Sequence, residues 1–257
     1  FSCRCIRPTF TDFLQREPET LKTEVDFSDL GLIEYGAAWQ LQERLFSRII
    51  GQKRSGVSPT DNYLLFCEHP HVYTLGKSGS ESNLLLDMIQ LKAKDATFYH
   101  TNRGGDITYH GPGQIVGYPV LNLEPIVNGA REYVGKMEEA IIRTLSRYGL
   151  AAERLAGATG VWLDTEFPEK TRKICAIGVR TSHWVSMHGF AFNVNTDLNY
   201  FNYINPCGFT DKAVTSLSVE LRTHVNIDEV KKLLASELAE VYGLKLRELP
   251  HGLLLTD

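Results

Sequence analysis

The sequence predicts a single domain of the α/β class, organised in the α+β manner around a mixed sheet. Three features carry that expectation. Segments with helical apolar spacing alternate with short β-prone runs, the runs between Val161 and Val194 follow one another with no helix between them, and composition does not shift along the chain. Consecutive strands without a crossover favour antiparallel neighbours, so a doubly wound parallel sheet fits less well. At 257 residues the chain is long enough for one sizeable core and short for two.

The elements follow in order. Phe1 to Glu24 contains Pro8 and Pro18 and shows no clear period, so residues 1–24 are expected to be a leader of unassigned role, flexible or processed, ahead of a catalytic domain over 25–257. Asp12, Glu17 and Glu19 argue against an organellar presequence. From Glu34, the residues Ala38, Leu41, Leu45 and Ile49 recur at three- and four-residue spacing, which predicts a helix ended by Gly51 and the polar run to Asp61. Tyr63 to Cys67 and Val72 to Leu75 read as buried strands around the turn Glu68-His69-Pro70-His71, with Cys67 filling the core. Phe98-Tyr99 leads into a glycine-dense loop over 103–113, and a strand follows from Gln114 to Leu123. Tyr133, Met137, Ile141, Leu145 and Tyr148 make a second helical face closed by Gly149. Further strands are expected at Gly160 to Leu163, Lys173 to Arg180 and Trp184 to Val194. A third helix opens at Asn226-Ile227-Asp228-Glu229 and runs to Gly243.

Composition narrows the function. A net charge of -4 without long charged blocks does not suit a nucleic-acid binder. No stretch approaches the roughly 18 uninterrupted apolar residues of a membrane span, and no signal pattern opens the chain. The five cysteines, Cys3, Cys5, Cys67, Cys175 and Cys207, are scattered and lack paired C-x-x-C spacing, which points to reduced thiols in a cytoplasmic setting and to no structural zinc. Neither G-x-x-x-x-G-K-[ST] nor G-x-G-x-x-G is present, which weakens any nucleotide-driven mechanism.

Three places depart from simple packing. Four glycines and a proline within Arg103 to Gly113 would let the backbone approach a ligand, although a tight loop held by its own turns would read the same way. Lys173 opens the apolar run to Arg180, where a lysine is solvated unless it has a task or a partner. Cys207, between Pro206 and Gly208, sits in a turn context that exposes its sulfur. In an extended strand Cys175 would share a face with Lys173, so local geometry leaves both thiols standing as nucleophiles.

The run Arg103-Gly104-Gly105-Asp106-Ile107-Thr108-Tyr109-His110-Gly111-Pro112-Gly113-Gln114 resembles the signature of the octanoyl-[acyl-carrier-protein]:protein octanoyltransferases of lipoate synthesis. Glu68-His69-Pro70, Val72 to Gly76, Thr159 to Trp162, Lys173 to Val179, His188 to Asn193, Pro206-Cys207-Gly208 and Val214 to Leu217 fall in that family's order, from about Val25 to the last helix. The resemblance implies that Cys207 is the nucleophile and that Lys173 sets its protonation, with Cys175 standing where many members have alanine. It also implies an acyl site lined by Arg103 to His110, by Ala176, Ile177 and Gly178, and by Gly189, Phe190 and Ala191. The fold it implies is the catalytic fold of biotin and lipoate-protein ligases. Octanoyl-acyl carrier protein is the implied donor. Lipoyl domains of 2-oxoacid dehydrogenase complexes and the glycine cleavage H protein are the implied acceptors. It calls for no cofactor, no metal, no nucleic acid and no membrane, and for a monomer.

A thiolate would attack the donor thioester to give acyl-Cys207, helped by an ammonium that lowers the thiol from its usual pKa of about 8.5. Exchange of one thioester for another is nearly balanced, and transfer to an amine yields a more stable amide, so ATP is not needed. An ATP-dependent lipoate or biotin ligase on the same fold would consume ATP and need no cysteine. A catalytically silent acyl-carrier-binding protein would need neither Cys207 nor Lys173.

Overall fold

The computed structural model describes residues 22–205 and 213–254. The expected leader up to Leu21 and the Cys207 turn lie outside them. The chain builds two sheets. The larger contains β1 (Thr23–Leu32), β2 (Tyr63–Glu68), β6 (Gln114–Val120), β7 (Ala152–Leu155), β8 (Ala158–Leu163), β9 (Arg172–Ser182), β10 (Val185–Asn193), β11 (Ala213–Val214) and β12 (Leu244–Glu248). Their order is β12-β1-β2-β6-β10-β9-β8-β7, with β11 added on β9. The smaller sheet has the order β4-β3-β5, from β3 (Val72–Leu75), β4 (Thr97–His100) and β5 (Ile107–His110).

The large sheet is mixed, as expected. β1 pairs in parallel with both β12 and β2, and β11 with β9, while the pairs through β6, β10, β9, β8 and β7 are antiparallel. Alternate side chains serve two layers, as the two-residue period of a strand requires. Ile115, Phe190 and Phe192 face α3 (Ala130–Arg147) and α5 (Ile227–Tyr242), whereas Val116, Tyr118 and Ala191 face α1 (Tyr35–Arg54). Two short helices, α2 (Met88–Ala93) and α4 (Leu217–Leu221), precede β4 and follow β11. The helical stripes read from sequence supply the two layers: Ala38, Leu41, Leu45 and Ile49 on α1, and Tyr133, Met137, Ile141 and Leu145 on α3, are all buried.

Helix ends test the sequence reading. Gly149 and Gly243 do take positive φ angles after α3 and α5, and the Asn226 side chain caps α5 by accepting from the Asp228 N–H. Gly51, by contrast, does not end α1. The stop is Gly56 at φ +74°, where the Gly56 N–H donates to Lys53 O and the Val57 N–H to Gln52 O, the paired bonds of a Schellman turn. A glycine inside a helix costs only about 1 kcal/mol relative to alanine, too little to break a helix held by packing.

Two more expectations need correction. β2 and β3 are not neighbours around a turn, since β2 pairs with β1 and β6 while β3 crosses into the small sheet beside β4 and β5. The segment over 103–113 is also only partly a loop, because Ile107 to His110 form β5 opposite Val72 to Leu75. Among the described residues no helix is long and apolar enough to cross a membrane.

Candidate active site

A cavity of about 290 Å³ opens on the α1 side of the large sheet, roofed by the small sheet. Its volume is of the order of a small-molecule site. β9 supplies Lys173, Ala176, Ile177 and Gly178, β10 supplies Gly189, Phe190 and Ala191, and the segment before and within β5 supplies Arg103, Gly105, Asp106, Ile107, Thr108 and His110. The structure therefore brings most of the sequence candidates to one place.

Two candidates stand back from it. Tyr109 is fully buried on the other face of β5, because strand alternation turns it away from the cavity; it stacks on Tyr200 with centroids 4.9 Å apart, and its hydroxyl is 2.7 Å from His71 Nδ1. Gly104 acts through its backbone instead. Its N–H donates to Val179 O at 2.9 Å, and its carbonyl lies 2.9 Å from where a Cβ on Gly178 would stand, so the roof and the sheet close on each other with no room for side chains.

The roof residues are fixed by bonds among themselves. Arg103 is buried and donates to Thr74 O at 2.6 Å, to Thr74 Oγ1 at 2.9 Å and to Gly104 O at 3.0 Å. Asp106 accepts from Asn83 Nδ2 at 2.7 Å and from the Ile107 N–H at 2.6 Å. His110 is stacked against Tyr35 and, shielded from water, has its pKa pushed down to about 3, so the ring is neutral at working pH.

At the other end the sheet carries the two sequence candidates that were expected to share a face. Register slips between the pairs Val161↔Cys175 and Trp162↔Lys173, which leaves Ile174 as an extra residue on β9. This bulge changes the phase of the strand. Lys173 lines the cavity with its Nζ 4.4 Å from the centroid of the Trp162 ring, while Cys175 is buried in the layer beneath with Val161 and Phe190. Burial pushes the Cys175 thiol well above its ordinary pKa, the opposite of what a nucleophile needs. Gly160, at φ +123°, makes the bulge possible: a Cβ there would sit 2.5 Å from Cys175 O. Its N–H donates to the buried Glu138 carboxylate at 3.0 Å.

Cys207 lies outside the described residues. The described residues that flank this segment are Asn205 and Ala213. The Asn205 N–H donates to Asn83 O at 2.8 Å, and Ala213 and Val214 pair in parallel with Arg172 and Lys173.

Residues that the sequence reading did not assign to the acyl site also line the cavity: Tyr35, and Gln114, His188 and Asn193, which it quotes only as part of the family resemblance. His188 takes φ +58° within β10, a left-handed angle that no pattern in the sequence announces. Asn102 Nδ2 donates to Glu43 Oε1 at 2.8 Å, so Asn102 Oδ1 faces His188 Nε2 at 2.6 Å and that nitrogen carries the proton. Burial together with Arg103 and Arg180 pushes the pKa of this ring down to about 3. Among the described residues no three of His, Cys, Asp and Glu cluster as metal ligands would.

Comparison with known proteins decides what this arrangement belongs to. A profile of the lipoyl protein ligase A/B catalytic domain matches residues 34–239. An octanoyltransferase of Bacteroides thetaiotaomicron is 55% identical over 221 residues, 86% of this chain and 96% of that protein. The chain belongs to the octanoyltransferase family. A second family member, from Christiangramia forsetii, is 53% identical over 233 residues, 88% of this chain and 99% of its own. These relatives place the chain among the acyltransferases. In solved structures, the bipartite lipoate protein ligase of Thermoplasma acidophilum superposes with a TM-score of 0.69 at 17% identity, over 91% of each chain. A lipoate-protein ligase A bound with ATP gives 0.65 at 16% identity, over 91% of this chain and 93% of that one. At such identities the likeness is one of fold, and it is the lipoate-ligase fold that the sequence motifs implied.

Proposed function

We propose that this octanoyltransferase takes its acyl group from an acyl-carrier-protein thioester, holds it on Cys207, and delivers it to a lysine of a lipoyl domain as the first step of protein lipoylation. The Cys207 thiolate bonds to the acyl carbonyl carbon as the bond to the carrier sulfur breaks, and the Lys173 ammonium gives its proton to the departing carrier, which leaves as its thiol. The acceptor amine then attacks the same carbon, Cys207 leaves as thiolate, and Lys173 receives the proton that the amine sheds. An ammonium at Lys173 stabilises the thiolate at the start and at the end of the cycle. Arg103 to His110, Ala176 to Gly178 and Gly189 to Ala191 hold the chain. No adenylate is formed, and the enzyme works as a monomer in the cytoplasm.

The observation that carries this reading is the placement of Lys173 at one end of the cavity, beside the strand that returns from the Cys207 segment. The phase change at Ile174 supports it as well, since it turns Cys175 away from Lys173 and into the core. The test is intact mass spectrometry after incubation with octanoyl-carrier protein, followed by peptide mapping. One octanoyl group on Cys207, formed without ATP and lost on adding a lipoyl domain, is the expected result. Transfer from free octanoate that consumes ATP would replace this reading with that of a ligase.

A further inference from the structure

A continuous hydrogen-bond chain runs from the roof of the cavity to Thr215, the residue after β11, and the chemistry of its members fixes its direction. Two backbone carbonyls, which can only accept, orient the two amides. Gln114 Nε2 donates to Tyr109 O at 3.2 Å and to Asn193 Oδ1 at 2.8 Å, and Asn193 Nδ2 donates to Thr215 O at 3.0 Å. Gln114 therefore presents Oε1 to His110 Nδ1 at 2.8 Å, so that nitrogen carries the proton. The neutral ring then accepts at Nε2 from the Thr74 hydroxyl at 3.2 Å, which itself accepts from Arg103. Thr74, His110, Gln114, Asn193 and Thr215 are all buried, and every link agrees in sense with the next.

The far end of the chain matters because of what Thr215 does next. Its N–H donates to Lys173 O at 2.9 Å, immediately after Val214 has paired with Lys173. We propose that Gln114 and Asn193 are positioning residues for octanoyl transfer, which lock the strand returning from the Cys207 segment in register with Lys173 and tie both to the cavity roof at His110. The consequence for transfer rests on the reading of Cys207 and Lys173 given above; the consequence for Thr215 does not. A buried polar chain stays rigid only while each member is satisfied, and removing one donor strands its acceptor.

Asn193→Asp breaks a single link. The carboxylate still accepts from Gln114 but cannot donate to Thr215 O, whereas the neutral acid can. Ionisable groups on the elements around this link are His110 on β5, Arg172 and Lys173 on β9, and Glu220, which accepts from Thr215 Oγ1. Burial and the facing carbonyl favour the acid form, and the two cations oppose it. Asn193→Leu removes the link at every pH.

The experiment measures octanoyl transfer and amide hydrogen exchange from mildly acidic to mildly alkaline pH. At alkaline pH, Asn193→Asp should transfer about tenfold more slowly than the wild type, the scale of one lost buried hydrogen bond, with the donor KM little changed. Relative to the wild type it should recover as pH falls, while Asn193→Leu stays slow throughout. The Thr215 amide should exchange faster in Asn193→Asp at alkaline pH, with α5 amides unaffected. A constant ratio of variant to wild-type transfer at all pH values, or unchanged exchange at Thr215, overturns the proposal. Should Asn193→Asp fail to fold, Asn193→Ser is too short to reach Thr215 O and takes its place: faster exchange at Thr215 supports the proposal, and unchanged exchange overturns it. An acyl label on a residue other than Cys207 in the wild type would overturn the earlier reading and leave the Thr215 exchange to decide this one.

Discussion

Lys173 and Cys175 stand two residues apart on β9 and serve opposite layers of the protein, because Ile174 is an extra residue facing the Val161–Trp162 step. Lys173 reaches the cavity and the Trp162 ring, and Cys175 closes the core beneath α3 and α5. One inserted residue turns Cys175 away from Lys173, which the local geometry of a regular strand does not foretell.

That separation makes the thiols distinguishable by substitution. Cys175→Ala should keep most transfer activity and lower stability by about 1 kcal/mol, the cost of a small cavity in a packed core. Cys207→Ala should abolish acyl-enzyme formation with little change in the melting temperature. Peptide mapping of the acyl label and a thermal melt check both, and a label on Cys175 in the wild type would reverse the assignment.

Lys173 is testable through its charge. Lys173→Met should raise the pH at which Cys207 reacts with a small alkylating agent, and should slow transfer to the lipoyl domain more than it slows alkylation, since transfer also needs a proton acceptor. Lys173→Arg should recover part of the alkylation profile and little of the transfer, because guanidinium stays protonated. An unaltered profile together with normal transfer in the Met variant would show that the Lys173 charge serves neither the thiolate nor the transfer.

If the cavity holds the acyl chain, its wall should set chain length. Gly105 is a poor place to test this, as its φ of +85° would strain any side chain and mix backbone cost with lost volume. Ala176 lies in regular β9 and lines the cavity, so Ala176→Leu narrows it without that strain. Octanoyl transfer should fall several-fold more than butanoyl transfer, read as kcat/KM for the two donors. Equal losses would mean that this wall does not contact the chain.

Acid stability should reveal the buried rings. His69, with its pKa pushed down to about 4, and His110 and His188, each pushed down to about 3, are neutral when folded, chiefly because they are buried. Unfolded, each binds a proton near pH 6.5, so the unfolded state holds more protons below that point. Stability is therefore full above about pH 6.5 and falls as pH drops towards the folded values, by about 1–2 kcal/mol per ring at about pH 5. Urea unfolding at about pH 7 and about pH 5 measures this in a window where most carboxylates remain ionised. An equal midpoint at both would show that the rings gain protons without unfolding.

Much was legible in the sequence because it is local. The stripes of α1, α3 and α5 follow from 3.6-residue spacing, and the stops at Gly149 and Gly243 from glycine's freedom at positive φ, whereas the run from Arg103 to Gln114 pointed to a binding site only through its family resemblance, since a tight loop has the same composition. What only the tertiary structure decided depends on partners far away in the chain. Thr23 to Phe27 pair with Leu244 to Glu248, and β3 leaves β2 for another sheet; no short window of sequence encodes either. The face shown by Cys175 turns on a bulge, and strand phase is set by the neighbour across the sheet rather than by the strand itself. The chain from Thr74 to Thr215 joins five side-chain and backbone groups from separate segments, each ordinary alone, because a buried polar group must find its partner wherever folding has brought one.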